Sequence, residues 1–290
     1  MMKEAKDFEK NNGVIVPKGL LVAVGGNEDK EHDLFVLRKI VSLVKKDLVL
    51  IEIITTASEI PEEVGKMYQR AFDKIDNTAV QFMHIRTREQ TEEEQYIERL
   101  KKCHIIFFTG GDQLRITSIL GGTVFMDVIK NKYHTEECIV AGTSAGATAM
   151  SQTMIFDGES AEALVKGSVN VTAGMGLVQN IIIDSHFIKR GRFSRLMELI
   201  TSTPGHLGIG LGEDTGIIIR KGYLIEAIGN GLVAIFNGKR IQYSNIYSIK
   251  IGEAIAVENM QVHTLVNGYG YDVLNEMFLQ PSELEKLLTN

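Results

Sequence analysis

Ser144 stands in Gly142-Thr143-Ser144-Ala145-Gly146-Ala147, after the apolar run Cys138-Ile139-Val140 and before Thr148-Ala149-Met150. Small residues on both sides of a serine let a buried strand turn sharply into a helix. They also let a substrate carbonyl approach the hydroxyl, as in a nucleophile elbow. Backbone N–H groups at the start of the following helix lack intrahelical acceptors and would face an oxyanion formed there. G-x-S-x-G alone also fits ordinary close packing, so the reading depends on partners: a serine nucleophile needs a base, and the base needs an acid to orient it.

Of the seven histidines, His186 has the most informative setting. It follows Ile181-Ile182-Ile183-Asp184-Ser185, which predicts that a strand carries it to the same sheet edge as Ser144. His84 and His104 lie in or beside strands, His32 and His134 in charged segments, His206 in a Pro-Gly loop and His263 late in the chain. Acid candidates are Glu213 and Asp214 in the glycine-bracketed run Gly210-Leu211-Gly212-Glu213-Asp214-Thr215-Gly216, and spacing does not choose between them. Lys189, Arg190, Arg192 and Arg195 cluster where a helix should begin. Cations are disfavoured at the positive end of a helix dipole, so the cluster points to a bound anion, a carboxylate-bearing substrate. The plainer alternative is a solvated basic face.

These residues need a scaffold. Apolar strands are expected at 20–24, 48–54, 80–85, 105–108 and 138–140, separated by helical patterns at 35–44, 61–72 (with a capping serine and Pro61 near its start) and 91–101. Continuous apolar strands alternating with amphipathic helices predict a mostly parallel sheet covered on both faces. The loops Gly25-Gly26-Asn27-Glu28, Thr55-Thr56-Ala57-Ser58 and Gly110-Gly111-Asp112-Gln113 follow strand C-termini, where open parallel sheets place ligands. The first of these lacks both G-x-G-x-x-G and G-K-[ST], so it reads as a tight turn, not a nucleotide loop. From Gly216 to about Thr264 the chain is rich in Ile, Val and Tyr. Asn230-Gly231 and Asn237-Gly238 look like hairpin turns, predicting antiparallel strands that complete the sheet.

Composition narrows the classes. With 290 residues, 44% apolar and 23% charged, the chain can bury a substantial core. Four prolines and no low-complexity run leave no obvious linker, so residues 1–290 are expected to form a single catalytic α/β domain, with 1–18 a peripheral N-terminal segment. A net charge of −6 argues against general nucleic-acid binding, and no stretch is apolar for long enough to span a membrane. The charged N-terminus is not a secretory signal, which makes the cytoplasm the default location. Cys103 and Cys138 are expected to be buried free thiols. No H-E-x-x-H or Cys/His ligand spacing is present, so neither a metal nor another cofactor is expected.

Taken together, Gly25-Gly26-Asn27-Glu28-Asp29-Lys30, Thr109-Gly110-Gly111-Asp112-Gln113, the serine run, Asp184-Ser185-His186-Phe187 with Arg190-Gly191-Arg192, and Gly210 to Thr215 resemble the cyanophycinases, serine peptidases related to aspartyl dipeptidase (peptidase E). The resemblance runs in order from about residue 20 to 265. It implies a flavodoxin-like, class I glutamine amidotransferase-like three-layer fold with added antiparallel C-terminal strands, and a homodimer. It also implies a serine-type exopeptidase that releases β-Asp-Arg dipeptides from cyanophycin through an acyl-enzyme. On the matching positions Ser144 would be nucleophile, His186 base and then acid, and Glu213 the orienting acid. Gly111, Asp112 and Ala145 would supply the oxyanion hole, and Gln113, Asp184, Ser185, Arg190, Arg192 and Arg195 the substrate pocket. Many relatives carry glutamine at the position of Ser185, which bears on substrate preference. Competing readings are an aspartyl or isoaspartyl dipeptidase acting on short Asp-X peptides, a lipase-like hydrolase using His263, and a catalytically silent binding module on the same fold.

Overall fold

Every residue of Leu20–Val24 is apolar because both faces of this strand are covered. Leu21 and Ala23 pack with Ile106, Phe108 and Val140 on one side of the sheet. Val22 and Val24 pack with Ile51, Ile53, Ile105 and Phe107 on the other. Alternate side chains of a strand point to opposite faces, so a doubly covered strand shows no alternation of polarity. The helices Phe35–Ser42 and Pro61–Phe72 cover the second face through Leu37, Ile40, Tyr68 and Phe72. The helices Glu94–Lys102, Gln113–Leu120 and Val124–Thr135 cover the first through Leu100, Ile116, Leu120, Phe125 and Ile129.

These relations come from a computed structural model that describes residues 10–11, 14–158 and 164–289. The peripheral segment expected at 1–18 lies in part outside them. The central sheet has nine strands, in the order Met277–Leu279, Gly270–Asp272, Leu224–Gly229, Thr215–Arg220, Leu20–Val24, Ile139–Thr143, Ile105–Phe108, Val49–Ile54 and Thr78–Met83. The last five are mutually parallel, and the first four join them antiparallel. Ser144 therefore leaves an interior strand of the parallel part, between Leu20–Val24 and Ile105–Phe108.

The tail departs from expectation. Only part of it completes the central sheet. Leu207–Leu211, Val233–Asn237 and Gln261–Leu265 join Ile181–Asp184 in a separate four-stranded sheet. One face of that sheet packs into the main core through Ile181, Ile183, Ile209 and Ile235. Its other face, with Ile182, Ala234 and Phe236, packs on the helix Phe193–Ser202 through Leu196 and Ile200. Asn230-Gly231 is accordingly no hairpin turn but the crossing from one sheet to the other. Likewise Asn237-Gly238 leads away from Gln261–Leu265 through a long connection, and the actual hairpin turn is at residues 221–223. Neither Asn-Gly pair takes the left-handed backbone that a two-residue hairpin turn needs, since none of the four residues has a positive φ. The helix Pro61–Phe72 likewise starts from Ile60 without a side-chain cap, and Ser58 Oγ accepts the Ile60 N–H instead (3.1 Å).

Among the described residues no helix is long and apolar enough to cross a membrane, and no cluster of metal-ligating side chains occurs. Cys103 and Cys138 are buried free thiols, and burial pushes both up to about 12, which leaves them unreactive.

Candidate active site

The strand Ile139–Thr143 ends in Ser144 at φ 52°, ψ −112°, and the chain turns at once into the short helix Ala145–Thr148. An L-residue adopts that backbone only when its surroundings over-determine it. Here the Ser144 N–H donates to Val24 O (2.9 Å), and the packing leaves no room on Gly146, where a Cβ would lie 2.4 Å from Phe108 O. The turn presents Ser144 Oγ to His186 Nε2 at 2.9 Å. His186 Nδ1 lies 2.8 Å from Glu213 Oε1. A carboxylate only accepts, so Nδ1 carries the imidazole proton and Nε2 is the free base facing the hydroxyl.

His186 and Glu213 come from the second sheet rather than from the edge that carries Ser144, each from the loop after a strand, Ile181–Asp184 and Leu207–Leu211. His186 is itself at φ 48°, with its N–H donating to Gly25 O (2.8 Å). Burial alone would raise the Glu213 carboxyl, but hydrogen bonds from His186 and Lys189 and their charges hold it below its ordinary value, so it remains anionic at neutral pH. Asp214, the other candidate, faces away: its carboxylate accepts from Asp29 N–H (2.9 Å) and Asn230 Nδ2 (2.7 Å) and secures the turn. His263 lies on the edge strand Gln261–Leu265, its ring against Tyr271 and Phe278.

The oxyanion donors divide. The Gly110–Asp112 loop lies against the nucleophile, since a Cβ on Gly110 would sit 3.3 Å from Ser144 Cβ. Asp112 does not serve, because its N–H donates to Ala57 O (2.9 Å) and its carboxylate caps the next helix by accepting from Leu114 N–H (2.8 Å). Gly111 and Ala145 keep amides that no acceptor among the described residues takes up. The helix Ala145–Thr148 is only four residues long, so the local amide, not a macrodipole, must do the work.

The basic cluster also divides. Asp184 is fully buried and its carboxylate accepts from Arg195 Nε (2.7 Å), Arg195 Nη2 and Arg192 Nη1 (3.0 Å). Asp184 is therefore not available to a substrate guanidinium. Arg195 Nη1 also donates to Gly158 O (3.1 Å), and Gln113 Nε2 donates to Ile155 O (3.1 Å) and Phe156 O (3.0 Å). Gln113 and Arg195, expected in the substrate pocket, instead tie the strand Thr153–Gly158 to the site. Ser185 is buried, its Oγ accepting from Thr148 and its carbonyl from Arg192. Arg190 is exposed and has no side-chain partner among the described residues. Two guanidinium groups against one carboxylate, with Arg190 outside them, leave this rim net positive.

Sequence reasoning missed the roles of Asn27 and Lys189, which hold Glu213 Oε2 at 3.2 and 3.1 Å. The signal for Asn27 is the polar loop Gly25-Gly26-Asn27-Glu28 at a strand C-terminus, which is more than a tight turn. Gly26, at φ 98°, is required there because a Cβ would lie 2.4 Å from His186 Cε1. Gly26→Ala is expected to push the ring off the Ser144 hydroxyl and cut kcat by about 100-fold. Steady-state kinetics beside a thermal melt check this; unchanged kcat would show that the ring tolerates the methyl.

A profile of peptidase family S51 matches residues 20–226. Cyanophycinase of Geminocystis herdmanii is 34% identical over 252 residues, 87% of this chain and 93% of its own. Cyanophycinase of Trichormus variabilis is 34% identical over 265 residues, 91% and 89% of the two chains. A solved peptidase from an acI-B1 Actinobacterium shares the fold with a TM-score of 0.66 at 21% identity, covering 88% of this chain and 97% of that one.

Proposed function

This chain belongs to peptidase family S51, a serine-type peptidase family, and from that premise we propose that it is an exopeptidase releasing β-Asp-Arg dipeptides from cyanophycin. The observation that carries the reading is the unbroken line from Ser144 Oγ through His186 to Glu213, at 2.9 and 2.8 Å, beside a positive rim. His186 Nε2 takes the Ser144 proton as Oγ attacks the backbone carbonyl of an aspartyl residue. Glu213 stabilises the imidazolium, and the amides of Gly111 and Ala145 hold the oxyanion. The C–N bond breaks as His186 passes its proton to the leaving amine. That amine carries the terminal dipeptide away, and water, deprotonated by His186, then attacks the acyl-enzyme and frees the shortened chain. The catalytic groups supply nucleophile, base and acid themselves, so no step calls for a cofactor.

Arg190 anchors a substrate carboxylate at the chain end, which favours removal of one unit at a time. The reading includes work in the cytoplasm as a homodimer, supported by the family resemblance. Incubation with insoluble cyanophycin should release β-Asp-Arg, identified by mass. Hydrolysis of Asp-X dipeptides with cyanophycin untouched would transfer the enzyme to the dipeptidases. Arg190→Ala should raise KM on cyanophycin by about tenfold with little change in kcat, as for a contact made equally in ground and transition states. An unchanged KM would show Arg190 to be merely solvated.

A further inference from the structure

The loop Gly25–Glu28 touches two members of the catalytic line, His186 and Glu213, and the Asp214 beside the second. Gly25 O accepts from His186 N–H (2.8 Å), Gly26 O from Asp214 N–H (3.0 Å), and Asn27 Nδ2 donates to Glu213 (3.2 Å). Glu28 turns the other way, beneath the elbow, and its side chain is fully buried. Its Oε2 accepts from Thr143 Oγ1 at 2.6 Å, and its Oε1 accepts from the Tyr68 hydroxyl and pairs with Lys30 Nζ at 3.0 Å. Lys30 Nζ also donates to Glu28 O (2.9 Å) and lies over the Tyr68 ring.

Burying a carboxylate is costly, and this one is tolerable because each oxygen has a donor or a cation. Burial and the Glu28 charge push the Tyr68 phenol well above its ordinary range, so it stays a donor. The chemistry of peptide cleavage uses none of these groups. What they do share is the elbow, because Thr143 immediately precedes the strained Ser144. Thr143 is paired in the sheet with Val24, whose carbonyl takes the Ser144 N–H. Ladder and carboxylate therefore grip the peptide ahead of Ser144 from the backbone and from the side chain.

We infer that Glu28 is a positioning residue: by holding Thr143 Oγ1 it fixes the turn into Ser144 and thereby the line from Oγ to His186 Nε2. The inference rests on reading Ser144 as the nucleophile. Because Glu28→Ala removes a buried charge from two donors and a cation and risks the fold, the isosteric Thr143→Val is the primary probe, with Glu28→Gln beside it. The measurements are kcat and KM per active site, the rate at which a serine-directed fluorophosphonate labels Ser144, and a thermal melt. Thr143→Val should lower kcat and the labelling rate together by about 10- to 100-fold while KM stays within about twofold. The double variant should be no slower than the slower single one, since both cut the same link. A lowered melting temperature with wild-type kcat and labelling would overturn the inference and leave Glu28 a purely structural residue. Failure of the unmodified enzyme to be labelled at Ser144 would instead overturn the nucleophile assignment, and this inference with it.

Discussion

Ser144→Ala is expected to lower kcat by about 10⁴-fold or more while the protein melts within a few degrees of the parent. The size follows from what is removed. Without Oγ no acyl-enzyme forms, and His186 Nε2 has only water to activate. The Gly111 and Ala145 amides and the positive rim persist, so a residual rate above that in water should survive through binding and oxyanion stabilisation alone. The fold should be unaffected because Ser144 holds its backbone through the N–H bond to Val24 O and the close contact of Gly146 on Phe108, neither of which involves Oγ. The hydroxyl's hydrogen bond is to His186 Nε2. Single-turnover and steady-state hydrolysis of cyanophycin, with circular dichroism as control, measure both halves. Near-parental turnover by a folded variant would remove Ser144 from the chemistry.

The parallel half of the fold was legible because both of its faces are buried. Doubly covered strands such as 20–24 and 105–108 announce themselves as unbroken apolar runs, and the polar loops after them point to one edge. The tail was less legible. Its strands are equally apolar, but the sequence does not say that Leu207–Leu211 pairs with Ile181–Asp184 in a second sheet while Thr215–Arg220 pairs with Leu20–Val24. Pairing there is decided by long-range packing, which no local period encodes. The same division holds in the site. Ser144 and His186 were readable because each is a reactive type at the end of an apolar segment. Glu213 and Asp214 were not separable because adjacent residues of a turn point in opposite directions, and only the partners, Nδ1 of His186 for one and Asn230 for the other, tell them apart. Arginines look alike in sequence whether they stand exposed at the surface, as Arg190 does, or already hold a buried Asp184, as Arg192 and Arg195 do. For Asp112, backbone geometry overrules position in a motif: Ala57 O takes the N–H that the motif would offer to an oxyanion.

His186→Ala should be as damaging as Ser144→Ala, about 10⁴-fold or more in kcat, whereas His263→Ala should leave kcat and KM within about twofold of the parent. The contrast decides between two orders of catalytic residues. A lipase-type α/β-hydrolase runs serine, acid, histidine, which would recruit His263 after Glu213. The order here is Ser144, His186, Glu213, and the distances follow it. His263 lies on the exposed edge of the second sheet, packed on Tyr271 and Phe278, and burial depresses its pKa, so it behaves as a neutral packing residue. The two losses at Ser144 and His186 should also fail to add. Once either is gone the other has nothing to activate or be activated by, so the double variant should retain about the rate of the slower single one. Additive losses would mean that His186 acts on something other than the Ser144 hydroxyl, such as the leaving amine alone, and that a different group removes the serine proton.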